Sequence, residues 1–434
     1  MQVPFVQSVL NAFRLPDLRR KLLFTLLILA IYRLFAHIPV PGVDRTALAN
    51  LFARTPILGM FDLLSGGSLS QFSIMAMGVY PYVTASIVMT LIQPIVPQLK
   101  ELQQEGEAGR QKLNLYTHVL TVPMAILQAI GQALLLTRAT GGAPVLTNFG
   151  FTPELLLPTA ATIATLTAGT MFAMWLGELI TQDGVGQGIS IIIFGGIVAK
   201  VPQSLGQQLS SNPPGLIAYL VIAIVTVVGI VFIYEAQRRI PVHYGKRVRG
   251  TRVYGGQSSH IPMRMNQAGM IPLIFAQSVL ILPGVFAQYF TVSDVDWIRN
   301  LATTLAFQFS TQSNFYWLMY FVMVIGFTYM YTNITFQQQN LPETLQKQGG
   351  FIPGIRPGKR TQEYLNAVLG RITLVGAVFL GLVALLPWFM RDLTESTTMV
   401  ITSTGLLIVV GVVLDTMKQL EAQLLMRQYE GFIK

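Results

Sequence analysis

The chain has 434 residues, 52% hydrophobic and only 11% charged, with a mean hydropathy of +0.55. A soluble domain carries about 25% charged residues, so this is an integral membrane protein and not an ordinary soluble enzyme. The lack of cysteine excludes disulfides, thiolate metal sites and cysteine nucleophiles, and the net charge of +10 is read first through membrane topology.

Taken in chain order, the first apolar run follows Arg19, Arg20 and Lys21 and continues to Ile38 without a small-residue cleavage site. It reads as a retained span, not a signal peptide. Ten spanning segments are expected: Leu22–Ile38, Ile74–Gln93, Leu115–Leu136, Leu155–Thr181, Gly188–Val201, Gly215–Tyr234, Gly269–Phe290, Phe315–Phe336, Ile372–Met390 and Met399–Leu414. The fifth is short and flanked by glycine. Pro81, Pro123, Pro158 and Pro272 fall inside spans, where each removes a backbone donor and can kink its helix.

Before the second span stands a short apolar piece, Phe61–Leu64, broken by Ser65, Gly66, Gly67 and Ser68. It cannot cross a bilayer, and the glycine pair opposes a continuous helix. Two readings remain open. One is a loop that touches the membrane surface. The other is an apolar flap, because irregular backbone at membrane depth survives only inside protein or against a water-filled cavity.

With the N-terminus on the cytoplasmic side, 22 of the 29 Lys and Arg residues fall in cytoplasmic regions and 7 on the other side. This is the positive-inside pattern, and it predicts that both termini are cytoplasmic. Ten spans divide into two halves of five, and an odd count makes the topologies of two repeats inverted. Two loops, 235–267 and 337–370, are long, basic and rich in Gly and Pro. The positive-inside rule explains their charge but not their length. A projecting basic surface suits an acidic partner, such as ribosomal RNA or an acidic protein face.

Candidates for catalysis or ion coupling are sparse. Arg33, Glu178, Glu235 and Asp415 lie near span ends, whereas a coupled transporter usually carries charge at mid-span. His37, His118, His243 and His260 make no metal spacing. The run Gly354–Lys359 has the wrong spacing for a phosphate loop, and Arg360 stands where Ser or Thr should be. Ser68 has no evident base. The energy for transport is therefore expected to come from outside. What lies within the spans is polar but neutral: Thr84, Ser86 and Thr90 in the second, Gln128 and Gln132 in the third, Gln277 and Ser278 in the seventh, Thr332, Asn333 and Thr335 in the eighth. Such groups act either as glue between helices or as an interface weak enough to open, since each bond is worth only about 0.6 kcal/mol. A small-solute transporter would need a midplane site, and an intramembrane protease a nucleophile–base or aspartate pair.

The segments SGGSLSQFSI (65–74), GVYPYVTASI (78–87), GVGQGISIIIFGGIVA (184–199), QRRIPVHYGKR (237–247), AGMIPLIFA (268–276), FIPGIRPGKRT (351–361) and LLPWFMRD (385–392) closely resemble, in order, the SecY family of protein-conducting channels, in its bacterial form. The resemblance implies an all-α polytopic membrane protein. Its ten transmembrane helices would form two inverted five-helix halves, 1–214 and 215–434, around a central pore. It implies a plug at 61–70 that includes Phe61, Leu64, Ser65, Gly66 and Gly67, and a pore ring of Val79, Val83, Ile189, Ile193, Ile274 and Ile408. Valine stands at two ring positions where isoleucine is frequent. A lateral gate would carry Thr84, Ser86, Thr90, Gln128, Gln132, Gln277, Ser278, Thr332 and Asn333. Docking of the ribosome or the SecA motor would use Arg238, Arg239, Lys246, Arg247, Arg249, Arg356, Lys359 and Arg360. SecE and SecG are implied as partner subunits, secretory and membrane polypeptides as substrates, the bacterial plasma membrane as location, and no enzyme activity or cofactor. Spacing adds one point of its own: Val79 and Val83, like Ile189 and Ile193, are four apart and share a helix face. With the resemblance in place, Gly66–Gly67 reads as a hinge for the flap.

Overall fold

Each of the ten apolar runs contains a helix. The computed structural model describes residues 15–54, 62, 65–138, 145–146, 149–150, 152–211, 213–244, 247–249, 252–254, 258–291, 295–339, 341–394 and 403–431. In chain order the helices are α1 (Pro16–Phe35), α2 (Arg45–Arg54), α3 (Tyr80–Ile92), α4 (Pro97–Gln104), α5 (Glu107–Arg138), α6 (Leu156–Asp183), α7 (Gly188–Ser211), α8 (Pro213–Glu235), α9 (Ile271–Phe290), α10 (Asp296–Gln308), α11 (Asn314–Gln338), α12 (Leu341–Lys347), α13 (Lys359–Thr394) and α14 (Ser403–Gly431). Among the described residues, six of these are long and apolar enough to cross a membrane. They become seven if α3 and α4, bent by 102° at their junction, count as one span. The bend has a local cause. Pro97 follows Val96 and forces it into an extended conformation, φ −93° and ψ 113°, which no helix can continue.

The second span departs from expectation. Helix begins at Tyr80, not at Ile74, and residues 74–79 form turns. Phe72 at φ 43° turns the chain left-handedly just before this stretch, and Gly78 at φ 52° does so near its end. Ile74 N–H instead donates to the Ile38 carbonyl at 3.0 Å, and Pro39 pairs with Ser73 as a bridge. Pro81, Pro158 and Pro272 likewise stand in the first turns of α3, α6 and α9, where a missing N–H costs nothing. Of the four prolines expected to kink a span, only Pro123 is internal to its helix.

The chain divides into two compact units. One runs to Leu216 and adds residues 282–313 and 398–434; the other comprises 217–281 and 314–397. In the first, α6 packs on α5 and α7, α3 on α5, and α14 on α7. In the second, α11 packs along α13.

The fold is all-helical as expected, and the two basic loops add short strands to it. These are β1 (Gln237–Tyr244), β2 (Arg247–Arg249), β3 (Arg252–Tyr254), β4 (Ser258–Arg264) and β5 (Gly350–Phe351). β1 pairs antiparallel with β4, in register from Gln237–Arg264 to His243–Ser258, and on its other edge with β5 through His243–Phe351. β2 and β3 form a separate antiparallel pair. Ile240 and Val242 are buried while Arg239 and Pro241 are exposed, the alternation of a sheet with one dry face. That face, with Met263 of β4, lies on Leu345, Ile352, Leu365 and Leu369.

Candidate functional site

The turn before the second span is buried throughout from Ser65 to Leu69. Gly66 (φ 68°) and Gly67 (φ 87°) adopt conformations that favour glycine. Closure is by hydroxyls and carbonyls. Ser65 Oγ donates to the Asp62 carbonyl at 3.0 Å, Ser68 Oγ to the Ser65 carbonyl at 2.8 Å, and Ser70 Oγ to the Gly67 carbonyl at 2.9 Å. Gly67 N–H donates to the Asp62 carbonyl at 2.7 Å. Helix α1 holds the outside of the turn: Tyr32 OH donates to the Ser65 carbonyl at 3.2 Å, and an Arg33 Nη1–H to the Gly66 carbonyl at 2.8 Å. Helix α7 closes from another side. A Cβ on Gly66 would stand 2.8 Å from the Cα of Gly196, so the two backbones touch only because both residues are glycine. Phe61 and Leu64 lie outside the described residues.

Sequence reading missed the charge at this site. Asp62, counted within an apolar piece, is 4% exposed and forms an ion pair with Lys200 of α7. Its other oxygen accepts the Ser70 N–H at 2.8 Å. A lone acid in an apolar run, and a lone lysine near the end of the fifth span, were the available signals. His118 of α5 lies 2.7 Å from the Glu178 carboxylate of α6. Among the described residues no cluster of three or more His, Asp or Glu could hold a metal ion.

Of the ring residues, Val79, Ile193, Ile274 and Ile408 are buried, and Val83 and Ile189 half-buried. Val79 precedes the first turn of α3, and its carbonyl accepts the Val83 N–H at 3.1 Å, which keeps the two on one face. In the first unit, α7 with Ile189 and Ile193 packs against α14 with Ile408. Ile189 itself rests on Gly177 of α6: a Cβ there would stand 2.9 Å from the Ile189 side chain. Ile274 belongs to the second unit.

The polar groups of the second and third spans meet directly. Gln128 Nε2 donates to Thr84 Oγ1 at 3.0 Å, and Thr84 donates on to the Pro81 carbonyl at 2.8 Å. Thr90 donates to the Ser86 carbonyl, and Ser278 to the Ile274 carbonyl at 2.7 Å, each within its own helix. The Oε1 atoms of Gln128, Gln132 and Gln277 are buried with no hydrogen-bond partner among the described residues. Thr332 is buried and Asn333 exposed. In the second unit, Phe275 of α9 stacks on Phe327 of α11 with ring centroids 5.5 Å apart.

On the basic loops, Arg238 and Arg239 are exposed on β1, and Arg356, Lys359 and Arg360 are exposed around the start of α13. Arg247 and Arg249 fall on β2, and Lys246 lies outside the described residues. Strand β5 ties the two loops into one surface, where the sequence offered two separate ones.

A model of the SecY family matches residues 73–417. The chain belongs to the SecY family. It is 44% identical to the protein translocase subunit SecY of Halalkalibacterium halodurans over 99% of this chain and 100% of that one. To the SecY of Thermotoga maritima it is 39% identical over 99% and 98%. Among solved structures it is similar to a protein-conducting channel, with TM-score 0.63, 17% identity, and 95% and 96% of the two chains covered. Sec61 in a canine ribosome–channel complex gives TM-score 0.62, 16% identity and the same coverage. As a member of that family, the chain is a channel subunit and not a catalyst.

Proposed function

We propose that the chain is the central subunit of a bacterial plasma-membrane translocase, through which unfolded secretory polypeptides cross and from which transmembrane segments leave sideways into lipid. It carries ten spans in two inverted halves, with both termini cytoplasmic. SecE and SecG are its partner subunits, and SecA or the ribosome supplies the energy. The observation that carries the reading is the family match together with a buried, glycine-built turn immediately ahead of Val79 and Val83.

The parts follow from the chemistry. A ring of Val79, Val83, Ile189, Ile193, Ile274 and Ile408 is apolar and built of β-branched side chains that are stiff at χ1. It offers no fixed hydrogen bond to a passing chain, so any sequence can pass, and it closes to ions by dewetting. The segment 61–70 is the plug of that ring. A hydrophobic signal segment competes for the neutral polar contacts of the gate residues, and each contact is weak enough to yield. The exposed arginines and lysines of the two loops receive the acidic partner.

The test is an arrested secretory chain with photocrosslinkers introduced near Val83 and Ile408. Crosslinks at both positions are expected during transit. A small-solute transporter would give none, and their absence in an export-competent preparation would overturn the reading.

A further inference from the structure

We infer that Asp62 and Lys200 form a charge latch that keeps the turn 62–70 seated and so sets how strong a signal segment must be to open the channel. The inference rests on the plug reading of that turn. Asp62 is buried, and both carboxylate oxygens are engaged, one by Lys200 and one by the Ser70 N–H at 2.8 Å. It thus joins both ends of the turn to α7. Lys200 reaches it across Gly67, where a Cβ would stand 3.3 Å from the lysine Cδ and Nζ. Glycine at 67 is favoured by its left-handed φ of 87°, and the lysine side chain packs directly against it.

The two partners are unequally placed. The Asp62 side chain is 5% exposed and that of Lys200 22%. When the turn leaves, both charges can hydrate, so opening leaves no buried ion behind. Removing one partner instead leaves the other charge uncompensated in the closed state alone, which shifts the equilibrium towards open. Arg33, bound to the Gly66 carbonyl, also faces Lys200, so loss of Asp62 leaves two cations against each other and loss of Lys200 takes the buried carboxylate's ion-pair partner away.

The test uses the purified complex with its partner subunits, reconstituted into bilayers. Lys200→Met and Asp62→Asn are each expected to raise idle ion conductance about tenfold, and Lys200→Arg hardly at all. The first two should also export a precursor whose signal has been shortened below the wild-type threshold. Because the chain has no cysteine, Lys200→Cys supplies a control within one folded protein. Treatment with 2-aminoethyl methanethiosulfonate restores an ammonium and should lower the conductance again; neutral methyl methanethiosulfonate should not. Wild-type conductance and stringency in Lys200→Met and Lys200→Cys would overturn the latch. Deletion of residues 62–70 separates the two ideas. If deletion opens the idle channel and the point variants do not, the latch falls and the plug stands; if deletion also changes nothing, the plug reading falls with it.

Discussion

Thr84 and Gln128, residues of the proposed gate, are joined by a single hydrogen bond. Their bond is worth about 0.6 kcal/mol, and Gln128 also buries an oxygen without a partner. The two ends of the bond should therefore respond differently. Gln128→Leu removes the bond together with the unpaired oxygen, so thermal unfolding of the assembled channel should move by less than about 1 kcal/mol. Thr84→Val leaves the amide with neither group satisfied and should cost about 1–3 kcal/mol. Equal effects, or the reverse order, would show that the amide finds other partners. That these side chains are polar was legible in the sequence. That the second and third spans join at this pair was not, because a helical pattern orders residues along one helix and is silent about the rotation of its neighbour.

At the scale of elements, proline and glycine acted as boundaries more often than as kinks. Pro81 opens α3, and the left-handed turns at Phe72 and Gly78 keep residues 74–79 out of it. Apolar composition alone could not reveal this, since a buried turn and a buried helix are equally apolar. The small sheet was hidden for a related reason. Strand β5 is two residues long and acquires its meaning only from the edge of β1. Ile352, 3% exposed beneath that sheet, carries the consequence. Ile352→Ala should cost about 2–5 kcal/mol locally and weaken binding of the motor or ribosome to channel-bearing vesicles, although no charge is altered. Unchanged binding would mean that each loop docks independently of the sheet.

For the whole molecule, the proposed orientation and kind of partner rest on charge and hydropathy. Arg356→Glu should cripple motor-driven export in reconstituted vesicles while leaving membrane insertion of the protein itself intact. Raising salt should weaken docking of the wild type, because charges on an exposed surface are screened beyond about 8 Å at physiological ionic strength. Export at the wild-type rate in the variant, or docking indifferent to salt, would place the partner elsewhere.

The sequence by itself determined the membrane class, the positions of ten apolar runs, the basic side, and the motifs that carry the SecY resemblance. These are properties of single residues and short windows, governed by transfer of each side chain between water and lipid. Only the tertiary structure decided that Asp62 meets Lys200, 138 residues away, that Gly66 touches Gly196, and that the two basic loops share a sheet. Such pairings depend on which backbones can approach closely enough for a buried charge or carbonyl to find its partner. No local pattern encodes that.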